Sequence, residues 1–151
     1  MIYLTSGFRG SALQAVRLGR TGDLTGSDAI VWSHPKGTPY VPSPLLTDGL
    51  LYVIKGNDAI LSCLDARSGQ PQFEQERLEA LHSIYASPVS AKDRVYVLGR
   101  DGTCVVLRKG PKLEVLAVNT LADDHTDASM ALAGNEAFIR TRGNLYCLAE
   151  K

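Results

Sequence analysis

Residues 43–73 read SPLLTDGLLYVIKGNDAILSCLDARSGQPQF, and their pattern decides the fold. Short runs rich in Leu, Ile, Val and Tyr alternate with turn residues at Asp48-Gly49, Gly56-Asn57-Asp58 and Arg67-Ser68-Gly69-Gln70. Runs of four to eight such residues, punctuated by Gly, Asn and Asp, predict an antiparallel meander rather than helices.

Working outward, weaker copies of the pattern lie on both sides. Tyr3, Tyr52, Tyr96 and Phe138 each stand inside an apolar run, and the last three are 44 and 42 residues apart. That period suits four-stranded propeller blades. The first interval is longer because Gly19 to Ser27 inserts a polar, Gly-rich loop. In the last three repeats a first strand opens at Ser43-Pro44, Ser87-Pro88 and Ser129-Met130, and the first repeat lacks its opening strand. A turn follows at Asp48-Gly49, Lys92-Asp93 or Gly134-Asn135, then the aromatic strand, then a second turn at Gly56-Asn57, Asp101-Gly102 or Gly143-Asn144. Third strands are predicted at 12–16, 60–64, 103–107 and 145–148, and fourth strands at 30–33, 72–77 and 113–118. The expectation is an all-β, partial β-propeller of about four antiparallel blades and about fourteen strands. The repeats fall at roughly 1–37, 38–80, 81–122 and 123–151 of a single domain, with the first and last blades incomplete.

Composition narrows the function classes. The chain has 151 residues and a formal net charge of zero, so neither nucleic acid nor an anionic membrane is the expected partner. No apolar run approaches a membrane-spanning length, and the N-terminus lacks the basic segment and long apolar core of an export signal. Met1 falls against an apparent strand, which raises the expectation of further sequence upstream. Cys63, Cys104 and Cys147 lack the close pairing of zinc ligands and are expected to be buried, reduced thiols.

Residues 64–73, LDARSGQPQF, resemble the blade signature of the PQQ-like β-propeller repeat family, which runs roughly Leu-Asp-Ala-Lys-Thr-Gly-Lys-x-x-Trp. The rest of the chain looks like the C-terminal half of bacterial PQQ-binding-like repeat proteins, and the resemblance covers most of the chain. The family includes quinoprotein dehydrogenases and the non-catalytic outer-membrane assembly lipoproteins, and it implies a periplasmic or cell-exterior setting for full-length relatives. Within the motif, Asp65 and Ser68 are expected to hydrogen-bond the turn, Gly69 to take a conformation hostile to a Cβ, and Phe73 to replace the aromatic that packs on a neighbouring blade. PQQ enzymes of the family use an axial Trp, a vicinal Cys pair and a Glu/Asn/Asp set holding calcium. No vicinal pair occurs here, and Trp32 falls on an outer strand, so neither PQQ nor calcium is expected.

Two further features matter for function. Each second turn carries a cation, Arg9, Lys55, Arg100 or Arg142, and Tyr40 and Tyr85 lie in the connections entering the second and third repeats. Together they form a candidate face for a small anion or a partner's acidic patch. The segment from Asp123 to Asp127 could bind a cation but reads more readily as a solvated connection. Four blades also leave raw edges, and closure by a second copy, giving a ring of about eight, is the expected remedy. The resulting expectation is a non-enzymatic scaffold or interaction module. A PQQ- or metal-dependent oxidoreductase fragment and a carbohydrate- or anion-binding propeller are the alternatives.

Overall fold

A computed structural model describes residues 1–7, 10–55, 57–121 and 125–149. Among these, the chain forms fourteen strands and no helix. Sheet 1 contains β1 (Ile2–Ser6), β2 (Ala12–Val16) and β3 (Ile30–His34). Sheet 2 contains β4 (Leu45–Thr47), β5 (Leu50–Lys55), β6 (Ile60–Asp65) and β7 (Pro71–Arg77). Sheet 3 runs through β8 (Val89–Ala91), β9 (Arg94–Leu98), β10 (Thr103–Arg108) and β11 (Val115–Thr120), and sheet 4 through β12 (Ala131–Ala133), β13 (Glu136–Arg140) and β14 (Leu145–Ala149). Within each sheet consecutive strands pair antiparallel. The short strands β4, β8 and β12 approach one another in that order, so the sheets radiate from a common axis as in a propeller.

The first hairpins form where the turn chemistry directs. Thr47 pairs with Leu50 across Asp48-Gly49, whose φ angles of 47° and 77° define a two-residue turn with both central residues left-handed. Ala91 pairs with Arg94, and Ala133 with Glu136, across the equivalent dipeptides. The fourth strand of sheet 3 starts two residues later than the sequence predicts, at Val115. Residues 109–114 are drawn into a turn in which Arg108 N–H donates to Glu114 O (2.9 Å) and the guanidinium Nε to Glu114 Oε2 (2.9 Å). Leu113 packs against the core instead of joining the ladder.

Stacking explains which faces are apolar. Sheets 2 and 3 are sandwiched, so β5 and β10 are buried on both faces, whereas β1 and β14 keep long exposed stretches. Along β5, Leu51 and Val53 pack against Leu13 of sheet 1, while Tyr52 and Ile54 face Val95, Val97 and Leu107 of sheet 3. Along β9 the alternation continues, with Tyr96 and Leu98 turned toward Met130 and Ile139 beside sheet 4. Each fully buried Leu, Ile or Val contributes about 1.5–3 kcal/mol, so the three sheet junctions are the main source of stability.

The cysteines follow the same logic. Cys63 and Cys104 are buried in the two junctions flanking sheet 3, where burial pushes each thiol up to about 11. Cys147 corrects the expectation of burial: it is exposed. It occupies the position in sheet 4 that Cys63 holds in sheet 2, opposite the aromatic of the neighbouring strand (Phe138 and Tyr52, respectively). Sheet 3 covers that position in sheet 2, whereas no described sheet covers it in sheet 4.

Candidate interaction face

The sheets are joined by a repeated device built on the signature motif. In the turn after β6, the Asp65 carboxylate accepts from Ser68 N–H (2.7 Å) and Ser68 Oγ–H (2.6 Å), and these bonds hold its carboxyl below the usual range. Gly69 follows with φ of 74°, and a Cβ there would lie 2.6 Å from Cδ2 of Trp32. The Trp32 Nε1–H donates to Ala66 O (3.1 Å), and Tyr3 Oη–H donates to the same carbonyl (3.0 Å). Sheet 1 is thereby clamped onto the turn of sheet 2. One junction further on, Tyr52 Oη–H donates to Gly110 O (3.0 Å) and accepts from Gly110 N–H (2.8 Å). Phe73 sits with its ring 6.4 Å from that of Tyr52, against the core between sheets 2 and 3.

The opposite end of each sheet carries the second turns and the connections between sheets. Arg100 N–H donates to Ser83 O (2.9 Å), and Arg142 N–H donates to His125 O (2.8 Å), so each turn is tied to the connection entering its own sheet. Of the six residues proposed from the sequence, the fold brings Tyr85 and Arg100 together: the guanidinium carbon lies 4.0 Å over the Tyr85 ring. Lys55 is held within its own hairpin by Asp58, whose carboxyl it lowers. Tyr40 is exposed in the connection entering sheet 2. Arg142 is exposed at the far end of the row, and its side chain has no polar partner among the described residues. Arg9 lies outside the described residues, as do Asp123 and Asp124 of the acidic segment.

Two features of this face escaped sequence reasoning. The first is a contact across the junction of sheets 3 and 4. Arg100 Nε–H donates to Asp127 Oδ1 (2.6 Å) and Nη2–H to His125 Nε2 (2.9 Å). The same imidazole nitrogen lies 3.3 Å from Asp127 Oδ1, so the tautomer decides whether it accepts from Arg100 or donates to Asp127. The bond from Arg100 holds the Asp127 carboxyl below the usual range, and Asp127 in turn raises Arg100. Because the folded value of Asp127 is depressed, the contact stabilises above the ordinary carboxylate pKa and is lost as pH falls through the lower, folded value. The Asp127→Asn variant is therefore expected to lose less stability than wild type as pH falls below 4, read from denaturant midpoints.

The second feature is a serine relay. Ser43 N–H donates to Ser87 Oγ (2.9 Å), and Ser87 N–H donates to Ser129 Oγ (2.9 Å). The signal was present in the sequence as the serine opening each of the last three repeats, but nothing local shows that serines 44 and 42 residues apart touch. A cleft of about 440 Å³ lies beyond the last sheet, lined by His125, Asp127, Arg140, Thr141 and Arg142. Among the described residues, no cluster of three or more His, Cys, Asp or Glu side chains could hold a metal ion.

Comparison with known proteins places this architecture. Residues 7–110 match the family described as outer membrane protein assembly factor BamB. The structure of BamB from Moraxella catarrhalis superimposes with a TM-score of 0.69 at 16% identity, covering 93% of this chain and 41% of that one. A europium-containing methanol dehydrogenase superimposes with a TM-score of 0.57 at 17% identity, covering 78% of this chain and 22% of that one. The computationally designed Ika4 protein gives 0.59 at 13% identity over 93% of this chain and 83% of that one. The chain thus spans about two-fifths of the BamB structure but most of the designed one. No curated protein sequence matches it.

Proposed function

From the premise that the chain belongs to the BamB family of PQQ-like β-propeller repeat proteins, we propose that it is a non-enzymatic scaffold that engages proteins and closes its ring with a second copy. One observation carries this reading. The face of sheet 4 that looks away from sheet 3 presents Phe138, Leu145 and Cys147, with Leu145 69% exposed. The matching residues of sheet 2, Tyr52 and Cys63, are buried by the sheet that follows.

At the other end, Ile2, Leu4 and Val31 of sheet 1 are exposed as well. The interior junctions stack one face of each sheet on the opposite face of the next, so two copies joined head to tail would cover both faces with the contact type already used inside the chain. A designed chain of similar extent adopts the same fold, which supports about four sheets as a foldable unit. The commitment of Trp32 to Ala66 O and to the surface over Gly69 supports the view that the chain does not use PQQ, because that ring is not free to stack on a quinone.

Light scattering on the purified chain is expected to give twice the chain mass at micromolar concentration. Phe138→Asp, which places a carboxylate inside the covered face, is expected to halve that mass while leaving the far-ultraviolet spectrum of a β protein intact. A wild-type chain that stays monomeric at several hundred micromolar removes the self-association reading. Retention of added PQQ with calcium through gel filtration, with its absorbance, would instead favour the oxidoreductase alternative.

A further inference from the structure

We propose that the outer edge of β11 docks an extended segment of a partner polypeptide in which apolar and polar residues alternate. The ladder of sheet 3 runs β11-β10-β9-β8, so β11 stands farthest from the axis. Further sheets join a propeller face to face, so this edge remains at the circumference however many sheets complete the ring. Backbone geometry identifies the groups it offers. Leu121 N–H donates to Gly102 O (3.1 Å) and Arg108 N–H donates to Glu114 O (2.9 Å), which fixes the inward side of the ladder at both ends of β11. Between them, Asn119 stands opposite Cys104 and Ala117 opposite Val106. Successive residues of a strand turn their N–H and C=O groups to opposite sides, so Ala117 and Asn119 bond β10 while Val118 and Thr120 point outward. Among the described residues, those outward groups of Val118 and Thr120 meet no partner.

The two interior sheets treat their outer strands differently. Strand β7 of sheet 2 has Pro71 at its first position and charges at Glu74, Glu76 and Arg77. It also holds a left-handed Gln75 (φ 56°), whose N–H donates to Ser62 Oγ (3.0 Å), and its pairing with β6 shifts register. Proline, charge and a distorted ladder are the means by which an exposed edge is kept from pairing with other strands. Strand β11 has none of the three where its edge lies open. It reads VLAVNT, without charge or proline, and pairs with β10 in regular register from Ala117 to Thr120. Val115 and Val118 are 51% and 50% exposed along it. A strand left open in a chain that guards the equivalent strand of the next sheet is fitted to receive another strand.

The same residues define the segment received. Val118 pairs with Val105 and Val115 with Leu107, and both partners belong to the core between sheets 2 and 3. The exposed valines therefore share the face turned toward sheet 2. Asn119 pairs with Cys104, which lies in the core toward sheet 4, and so stands on the other face. An incoming strand continues both faces, which calls for a β-branched or aromatic side chain beside Val118 and a polar one beside Asn119. A second copy of β11 meets this demand poorly. Two-fold pairing through the outward residues of both copies sets Val118 opposite Thr120 and Asn119 opposite Asn119, which leaves each valine without an apolar partner across the new pair. The occupant that fits is a segment of another polypeptide. This inference rests on the scaffold reading and names the surface by which the scaffold holds a protein, and it does not depend on the ring being closed by a second copy.

The probe is a lysine-flanked synthetic peptide, matched to β11 in length, in which valine alternates with threonine. Titrated into the intact 151-residue chain and followed by fluorescence anisotropy, the labelled peptide is expected to bind saturably at one site per chain. Val118→Pro removes an outward N–H and spares the ladder, so it is expected to weaken binding about tenfold with the far-ultraviolet spectrum unchanged. Val118→Thr keeps the shape of the side chain and the fold, and loss of the apolar contact is expected to weaken binding about threefold. Leu18→Lys, at an exposed leucine between β2 and β3, should leave it unchanged. The same peptide with methylated backbone nitrogens keeps its side chains but cannot pair, and is expected not to bind. Absence of saturable binding, indifference to either Val118 variant, equal loss with Leu18→Lys, or equal binding of the methylated peptide overturns the proposal. Light scattering on the same samples separates docking from ring closure. A dimer that ignores the peptide removes the docking edge and leaves closure standing, whereas a monomer that binds it does the reverse. A mass halved by Val118→Pro overturns the proposal by giving the edge to a second copy.

Discussion

Tyr52→Ala is expected to destabilise the chain by about 3–5 kcal/mol, and Tyr52→Phe by about 1–3 kcal/mol. Tyr52 is 1% exposed and lies in the junction of sheets 2 and 3, so truncation opens a cavity against Ile54, Cys63 and Val95 that the rigid ladders cannot close. The phenylalanine variant isolates the polar part. It keeps the ring but strips both the donor to Gly110 O and the acceptor for Gly110 N–H, leaving two backbone groups without their partner. Burial pushes the Tyr52 hydroxyl up to about 12 from an ordinary value of 10. With the folded value raised, the stabilisation is complete below pH 10 and is lost as pH rises toward 12. Denaturant unfolding at pH 8 and pH 11 checks both points. Wild type should lose stability over that interval, and Tyr52→Phe should start lower and lose less. An unchanged midpoint for Tyr52→Phe at pH 8 would show that the hydroxyl does not secure the junction.

Gly69→Ala is expected to cost about 2–5 kcal/mol, through two additive causes. The backbone stands at φ of 74°, where an L side chain carries about 1–2 kcal/mol of strain. The new methyl must also displace the Trp32 ring, which lies 2.6 Å from the Cβ position, and overpacking of that kind costs about 1–3 kcal/mol. A double-mutant cycle separates the causes. In a Trp32→Ala background only the backbone strain remains, so Gly69→Ala should cost about 1–2 kcal/mol. Equal cost in both backgrounds would mean that the ring moves aside freely. Trp32 is the only tryptophan, so its near-ultraviolet signal reports directly on the clamp between sheets 1 and 2.

The two variants test one principle at successive junctions. In each, an aromatic hydroxyl or indole N–H from one sheet binds the backbone of the turn that follows the third strand of the next. The continuation at sheet 4 explains why Phe138 is only half-buried and Cys147 is exposed, since they occupy the same positions with no described sheet beyond them.

Much of this was legible in residue order. The two-residue hairpins at Asp48-Gly49 and Lys92-Asp93 are local events, decided by which residues accept left-handed φ. The period separating Tyr52, Tyr96 and Phe138 announced repeated sheets because one sheet consumes a fixed length of chain. At Asp65, Ser68 and Gly69 the hydrogen bonds are local and the glycine backbone is left-handed, features that span only a few neighbouring residues. Strand ends were less legible where a side chain competed with the ladder, as Glu114 does by engaging Arg108.

By itself, then, the sequence determined the all-β class, the propeller repeat and the local turns, because each depends on side-chain alternation and backbone preference over a few neighbouring residues. The tertiary structure alone decided that Arg100 meets Asp127, that serines from successive repeats form one relay, and that Trp32 covers Gly69. Those contacts depend on the angle and spacing at which one sheet stacks on the next. That geometry is set by the summed packing of whole faces, and no single motif encodes it.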